Sequence, residues 1–229
     1  AFMEAFHVIA THPQILTGTG DCNSQYDVFG NFSRAITPNG TPSPHLRWDP
    51  TEQEIFDAIT DKRLDEEPMA TIPEGMTARS FAAQVARERL RSAVPDVDTY
   101  CDAEINDSMY FTLFPNFHPW GAFNRINYRF RPVGTKVDEC LMECIYTEDF
   151  EGDERPAPAE YIELGIDQEW TELIPVIGNL ARVFHQDSFN LPKVQKGLET
   201  FRADGLTLTK YQEVKIRHWH AMAERFIAN

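Results

Sequence analysis

The heptapeptide Arg125-Ile-Asn-Tyr-Arg-Phe-Arg131 does most to limit the folds open to this chain. Ile126, Tyr128 and Phe130 alternate with polar residues, and a period of two describes a strand with one buried and one wet face. Beyond the turn residues Pro132-Val-Gly-Thr135, the stretch from Val137 to Thr147 supplies its antiparallel partner. Asp102 to Phe114, ending in Phe114-Pro-Asn116, reads as a third strand. Gln25-Tyr-Asp-Val-Phe-Gly30 and the segment after it read as shorter ones.

Helical patterns flank these strands. The chain opens with one from Phe2 to about His12. Thr51-Glu-Gln-Glu54 has the form of a capping box and starts a helix to about Thr60. Thr77 to Ser92 places Phe81, Val85 and Leu90 near one side. Toward the C-terminus, helices are predicted over Trp170 to about Phe184 (despite Pro175), Asp187 to Phe201 and Tyr211 to Ile227. Thr37 to Pro50, with four prolines and a glycine, is a loop. The acidic, proline-punctuated stretch from Asp61 to Gly75 reads as a mobile surface excursion. Strands followed by helices give an α+β class, an antiparallel sheet with helices packed on it.

At 229 residues and 42% hydrophobic, the chain suits one domain able to bury a core without disulfide staples. The formal charge of -15, without a basic stripe, argues against nucleic acid and anionic lipid as partners. No apolar run approaches the roughly 18 residues that suggest a membrane span, and no secretory signal is visible. Cys22, Cys101, Cys140 and Cys144 form no CxxC pair, and C-x-H followed by C-x-x-H is absent. Buried free thiols in a reducing cytoplasm are the reading. The chain begins Ala-Phe-Met inside a helical pattern, so a preceding portion is expected.

Two histidines stand out in Glu4-Ala-Phe-His-Val-Ile-Ala-Thr-His-Pro13. Five residues apart on an ideal helix, His7 and His12 would point about 140° away from each other. Pro13 disfavours helical geometry at His12, so the helix ends or unwinds there, which lets His12 swing back toward His7. Iron that binds dioxygen wants two imidazoles, one carboxylate and open positions. Asp149, Asp153 and Asp167 are carboxylate candidates in acidic, exposed surroundings. Asp187, placed by the patterns at the junction of two helices, is a better one, with an N-cap as the alternative role.

Four stretches together resemble one family: EAFHVIATH, YFTLFPNFHPWGAFNRINYRFRP, HQDSFNLPKVQKGL and EVKIRHWHAMAERFI. It is the catalytic domain of the large subunit of Rieske-type non-haem iron aromatic ring-hydroxylating oxygenases. The resemblance runs from Phe2 to Ile227 and implies a helix-grip fold, similar to START and Bet v 1 domains. It implies His7, His12 and Asp187 as ligands of a mononuclear Fe(II). Glu4 matches the family's bridging acid, a position more often Asp, and so a catalytic role.

A Rieske [2Fe–2S] domain is expected upstream of residue 1, leaving residues 1–229 as the mononuclear iron domain. The resemblance further implies dioxygen, NAD(P)H acting through a reductase or ferredoxin, and a trimer with or without small subunits. Its setting would be the catabolism of aromatic hydrocarbons in the cytoplasm. The reaction expected is hydroxylation, foremost dihydroxylation, of an aromatic or similar apolar ring, monooxygenation being the variant within the family. Phe6, Phe111, Phe114, Phe123, Ile177 and Phe184 are substrate-pocket candidates, since an apolar ring needs an apolar cavity; core packing is the simpler and stronger role for each. The alternative function is a helix-grip domain that binds an apolar small molecule without catalysis. A zinc-dependent hydrolase is a third reading.

Overall fold

The computed structural model describes residues 6–20, 24–121, 123–148 and 153–228. Along the chain come α1 (Phe6–Thr11), a 3-10 turn (Pro13–Thr17), β1 (Gln25–Val28), β2 (Phe32–Thr37), α2 (Glu52–Ile59) and α3 (Ala78–Leu90). Next are α4 (Asp102–Asn106), β3 (Ser108–Leu113), β4 (Phe117–Pro119), β5 (Ile126–Pro132) and β6 (Cys140–Tyr146). The chain closes with α5 (Trp170–Leu173), α6 (Leu180–Glu199) and α7 (Val214–Ile227). Antiparallel strands and helices make this an α+β fold, as expected. The chain forms two compact units, Ala1–Asn124 with Thr207–Asn229, and Arg125–Leu206.

In the first unit β1, β2, β3 and β4 are neighbours in that order, all antiparallel. Tyr26 lies opposite Ala35, Ala35 opposite Tyr110, and Ser33 opposite Thr112. Cross-strand partners share a face, so these residues form one side of the sheet, and burial alternates along β2 accordingly. α7 lies on this side: Val214 and Tyr110 pack against the buried Tyr26 and Ala35. Trp219 fixes the helix further along, its Nε1 donating to Pro115 O at 2.6 Å. A C-terminal helix held on an antiparallel sheet is the feature that the helix-grip expectation names.

α2 begins at the capping box anticipated for Thr51, whose hydroxyl accepts from Glu54 N while its own N–H donates to Glu54 Oε2. Ile55 and Phe56 then bury against Ala78 and Phe81 of α3. Arg79 ties α3 to the sheet, donating to Asp107 Oδ1 at 2.6 Å, to Asp107 Oδ2 at 3.1 Å and to Asn39 O at 2.6 Å. Gly40 makes that approach possible. Its φ is 73°, and a Cβ there would lie 2.7 Å from Arg79 Cα.

Two segments depart from expectation in this unit. Asp102 to Asn106 is helical, not strand, because Cys101 N donates to Glu104 Oε2 at 2.8 Å and caps a turn before the alternation starts at Ser108. The excursion from Asp61 to Gly75 is held down. Gln53 donates to Ala70 O and accepts from Ile72 N, and both residues pack on the α2 core. His118 is buried in β4.

The second unit opens with the β5–β6 hairpin, in register from Ile126 opposite Tyr146 to Pro132 opposite Cys140. The alternation along β5 buries Ile126 and Tyr128. On the other face Arg129 and Arg131 both bond to Glu143. Of the thiols expected to be buried, Cys101 and Cys140 are exposed; burial pushes the partly buried Cys144 thiol up to about 12. The helix expected from Trp170 to Phe184 is broken. Pro175 opens a 3-10 turn and Gly178, at φ 58°, redirects the chain before α6 begins. α6 then runs without interruption through Asp187 and past Pro192.

Candidate metal centre

His7 sits on α1, and His12 follows its last residue. His12 has left helical geometry, with φ -127° and ψ 49°, although its N–H still donates to Val8 O at 2.8 Å. Pro13 starts the 3-10 turn, closed by Ile15 N donating to His12 O at 3.1 Å. The two imidazoles, divergent on a continuous helix, consequently come together: their centres are 5.5 Å apart and their planes 85° from parallel. His12 is 2% exposed. Imidazole nitrogens bind metals at about 2.0–2.1 Å, so two rings at this separation can meet a single ion. Six residues thus present two neutral-nitrogen donors side by side.

Asp187 belongs to the second unit. α6 places Ala181, Phe184, Asp187 and Ser188 on one buried stripe, spaced as helix geometry requires. Phe184, 1% exposed, fits between Tyr128 (edge-on, 5.3 Å) and Trp170 (5.5 Å). Asp187 is not at a helix junction and caps no helix start; it lies well inside α6 and is 4% exposed. Buried carboxylates are rare without a compensating charge. His185, two residues earlier, has Nε2 3.1 Å from Glu169 Oε2, which joins α6 to the cap of α5.

Asp153 and Asp167 are exposed. Asp149 and Glu4 lie outside the described residues, as does the Phe6 side chain. The pocket candidates are dispersed. Phe111 stands on β3 opposite Arg34, on the sheet face away from α7, near Phe32. Phe114 packs instead against Trp219 and Phe226 of α7. Phe123, at φ 60°, meets Tyr100 edge-on. Ile177 is buried in the 3-10 turn of the second unit.

One buried group escaped the sequence reading. Lys215, at the start of α7, has no exposed surface, whereas a lysine in a first helical turn reads as solvated. Its spacing of seven from the buried Met222 was the signal, since that interval returns to the same helix face.

Two adjacent imidazoles at the end of α1 are a donor pair that one metal ion could share. The family model for the ring hydroxylating alpha subunit (catalytic domain) matches residues 1–229, and the chain belongs to that family. It is therefore an oxygenase domain of a family that works through a mononuclear iron. No curated protein and no solved structure matches the chain. Among the described residues, no helix is long and apolar enough to cross a membrane.

Proposed function

We propose that His7, His12 and Asp187 hold one Fe(II), and that the domain hydroxylates an aromatic or similarly apolar ring, foremost as a dihydroxylase. The observation that carries this reading is the convergence of His7 and His12 where a regular helix would separate them. The donor chemistry fits the metal: two imidazoles and a carboxylate leave coordination positions open. A buried carboxylate inside α6, on an apolar stripe, is the kind of anion a cation would stabilise. Bound iron would supply dioxygen activation with two external electrons.

The chain's own residues do the rest. Pro13 fixes the bend that aims His12, and the Tyr128–Phe184–Trp170 packing fixes the helix that carries Asp187. Apolar side chains would exclude water and hold an uncharged ring in a defined orientation. Glu4 would accept a ring N–H from a ligating histidine and so set its tautomer. The electrons would come from NAD(P)H through a reductase or ferredoxin and a Rieske [2Fe–2S] domain of the same subunit. We place the assembly in the cytoplasm as a trimer.

The test is elemental analysis of protein purified without air. About one iron per chain is expected, lost in His7→Ala and Asp187→Ala. Glu4→Gln should retain iron and lose turnover when a reductase and candidate arenes are supplied. Iron-free wild-type protein that still binds apolar rings would instead make the domain a ligand carrier. Zinc alone would point to hydrolysis.

A further inference from the structure

α7 meets the first unit's sheet through a lysine that the fold leaves unsatisfied. Lys215 is 0% exposed, and its Nζ has no hydrogen-bond partner. Nζ lies 4.5 Å from the centre of the Tyr110 ring, a contact that attracts a charge but satisfies none of its N–H donors. The helix around it is seated firmly: Val214, the residue before, packs on the buried Tyr26 and Ala35. The amine therefore reaches water only if the first turn of α7 lifts from the sheet.

No carboxylate faces it from the strands beneath. β1 offers Tyr26, β2 offers Ser33 and Ala35, and β3 offers Tyr110 and Thr112 on that side. Asp27 and Arg34, paired with each other across the same strands, belong to the opposite face. β4 offers His118, whose Nδ1 lies 3.2 Å from Thr112 Oγ1. Burial first, and the Lys215 charge second, push His118 down to about 4, so it stays neutral at physiological pH and supplies no countercharge. On the helix side, the Glu213 carboxylate is turned back to accept from Thr209 N, and Arg217 donates to Lys210 O; His218 adds no negative charge. An ammonium enclosed without an acceptor costs far more than the neutral amine in the same place.

We propose that the first turn of α7 is a proton-linked latch, seated on the sheet with Lys215 as a neutral amine and loosened when that amine takes up a proton. The latch needs no space for a ligand, only the burial that the fold imposes. The lifted helix exposes an ordinary lysine, at 10.5, whereas burial alone holds the seated one at about 7. Between those values the lifted form binds the extra proton. Seating therefore strengthens as pH rises from 7 toward 10.5, and it weakens as pH falls back; below 7 both forms are protonated and the loss is complete. The device is independent of the iron reading, because it uses none of the proposed metal ligands.

The experiment measures hydrogen exchange of the full chain by mass spectrometry at pH 7, 8 and 9, each corrected for the intrinsic exchange rate. Protection of the amides of α7 (Val214–Ile227) should rise up to about tenfold per pH unit, the slope of one proton released on seating. The β5–β6 hairpin of the second unit is the internal reference and should not follow it. Lys215→Met keeps the bulk without the charge. Its α7 should be protected at least about tenfold better than the wild type at pH 7, with no rise at higher pH. If Lys215→Met does not fold, wild-type protein labelled with carbon-13 at lysine Cε answers the same question: one resonance should titrate near 7, well below the others. Equal pH dependence of α7 protection in wild type and Lys215→Met, or every lysine titrating in the ordinary range, overturns the proposal.

Discussion

Phe184→Ala should unfold the second unit more readily than any surface change in it. The ring is enclosed, with Tyr128 edge-on at 5.3 Å and Trp170 at 5.5 Å. Truncating a buried Phe to Ala costs about 3–5 kcal/mol, through lost transfer energy and the cavity left behind. Of this, each aromatic pair accounts for about 0.5–1.5 kcal/mol. Phe184→Leu refills most of the space and should cost about 1–1.5 kcal/mol. Trp170 is the one tryptophan of the chain between residues 125 and 206, so fluorotryptophan labelling gives this unit its own fluorine resonance, assigned with Trp170→Phe. Urea titration of that resonance yields the loss directly. Because Asp187 follows Phe184 by three residues on the same stripe, Phe184→Ala should also lower iron retention while Phe184→Leu keeps it. A loss below about 1 kcal/mol for Phe184→Ala would refute the claim that this ring organises α6.

Two further perturbations are informative. Hydrogen bonds from Arg129, and then from Arg131, hold the Glu143 carboxyl down at about 2, below its ordinary 4.5. A depressed carboxyl stabilises the fold above its unfolded value and loses that contribution as pH falls toward the folded one. The hairpin should therefore weaken between about pH 4.5 and 2, by an amount that solvent and salt keep small; Glu143→Gln should flatten that acid limb in a pH series of melting curves. Gly40→Ala forces a side chain into left-handed backbone and against Arg79 Cα, with an expected loss of about 2 kcal/mol or more. Gly30→Ala, where nothing lies within 4 Å of the new methyl, is the control and should stay near neutral in the same denaturant titration.

The hairpin and the capped helices were legible because each is written locally. Alternation from Ile126 to Phe130 and the Thr51–Glu54 box need no distant partner to take effect. The bend at His12 was readable for the same reason, since Pro13 acts on the residue before it. What failed depended on competition between signals. Asp102 to Asn106 carries strand-like neighbours, yet one carboxylate cap decides for helix. The patterns placed a junction of two helices at Asp187, but the buried stripe from Ala181 to Ser188 keeps α6 whole. Lys215 and His118 stayed hidden because burial of a charged or titratable group is set by whatever packs over it. For Lys215 that cover is a sheet far earlier in the chain.

The Cys144 thiol, which burial holds at about 12, has a consequence for durability. Peroxide attacks the thiolate, not the thiol, and at neutral pH this residue presents almost none. Oxidative wear in an enzyme that handles oxygen would fall first on the exposed sulfurs of Cys101 and Cys140. The sulfur inside the hairpin would remain reduced while the surface ages.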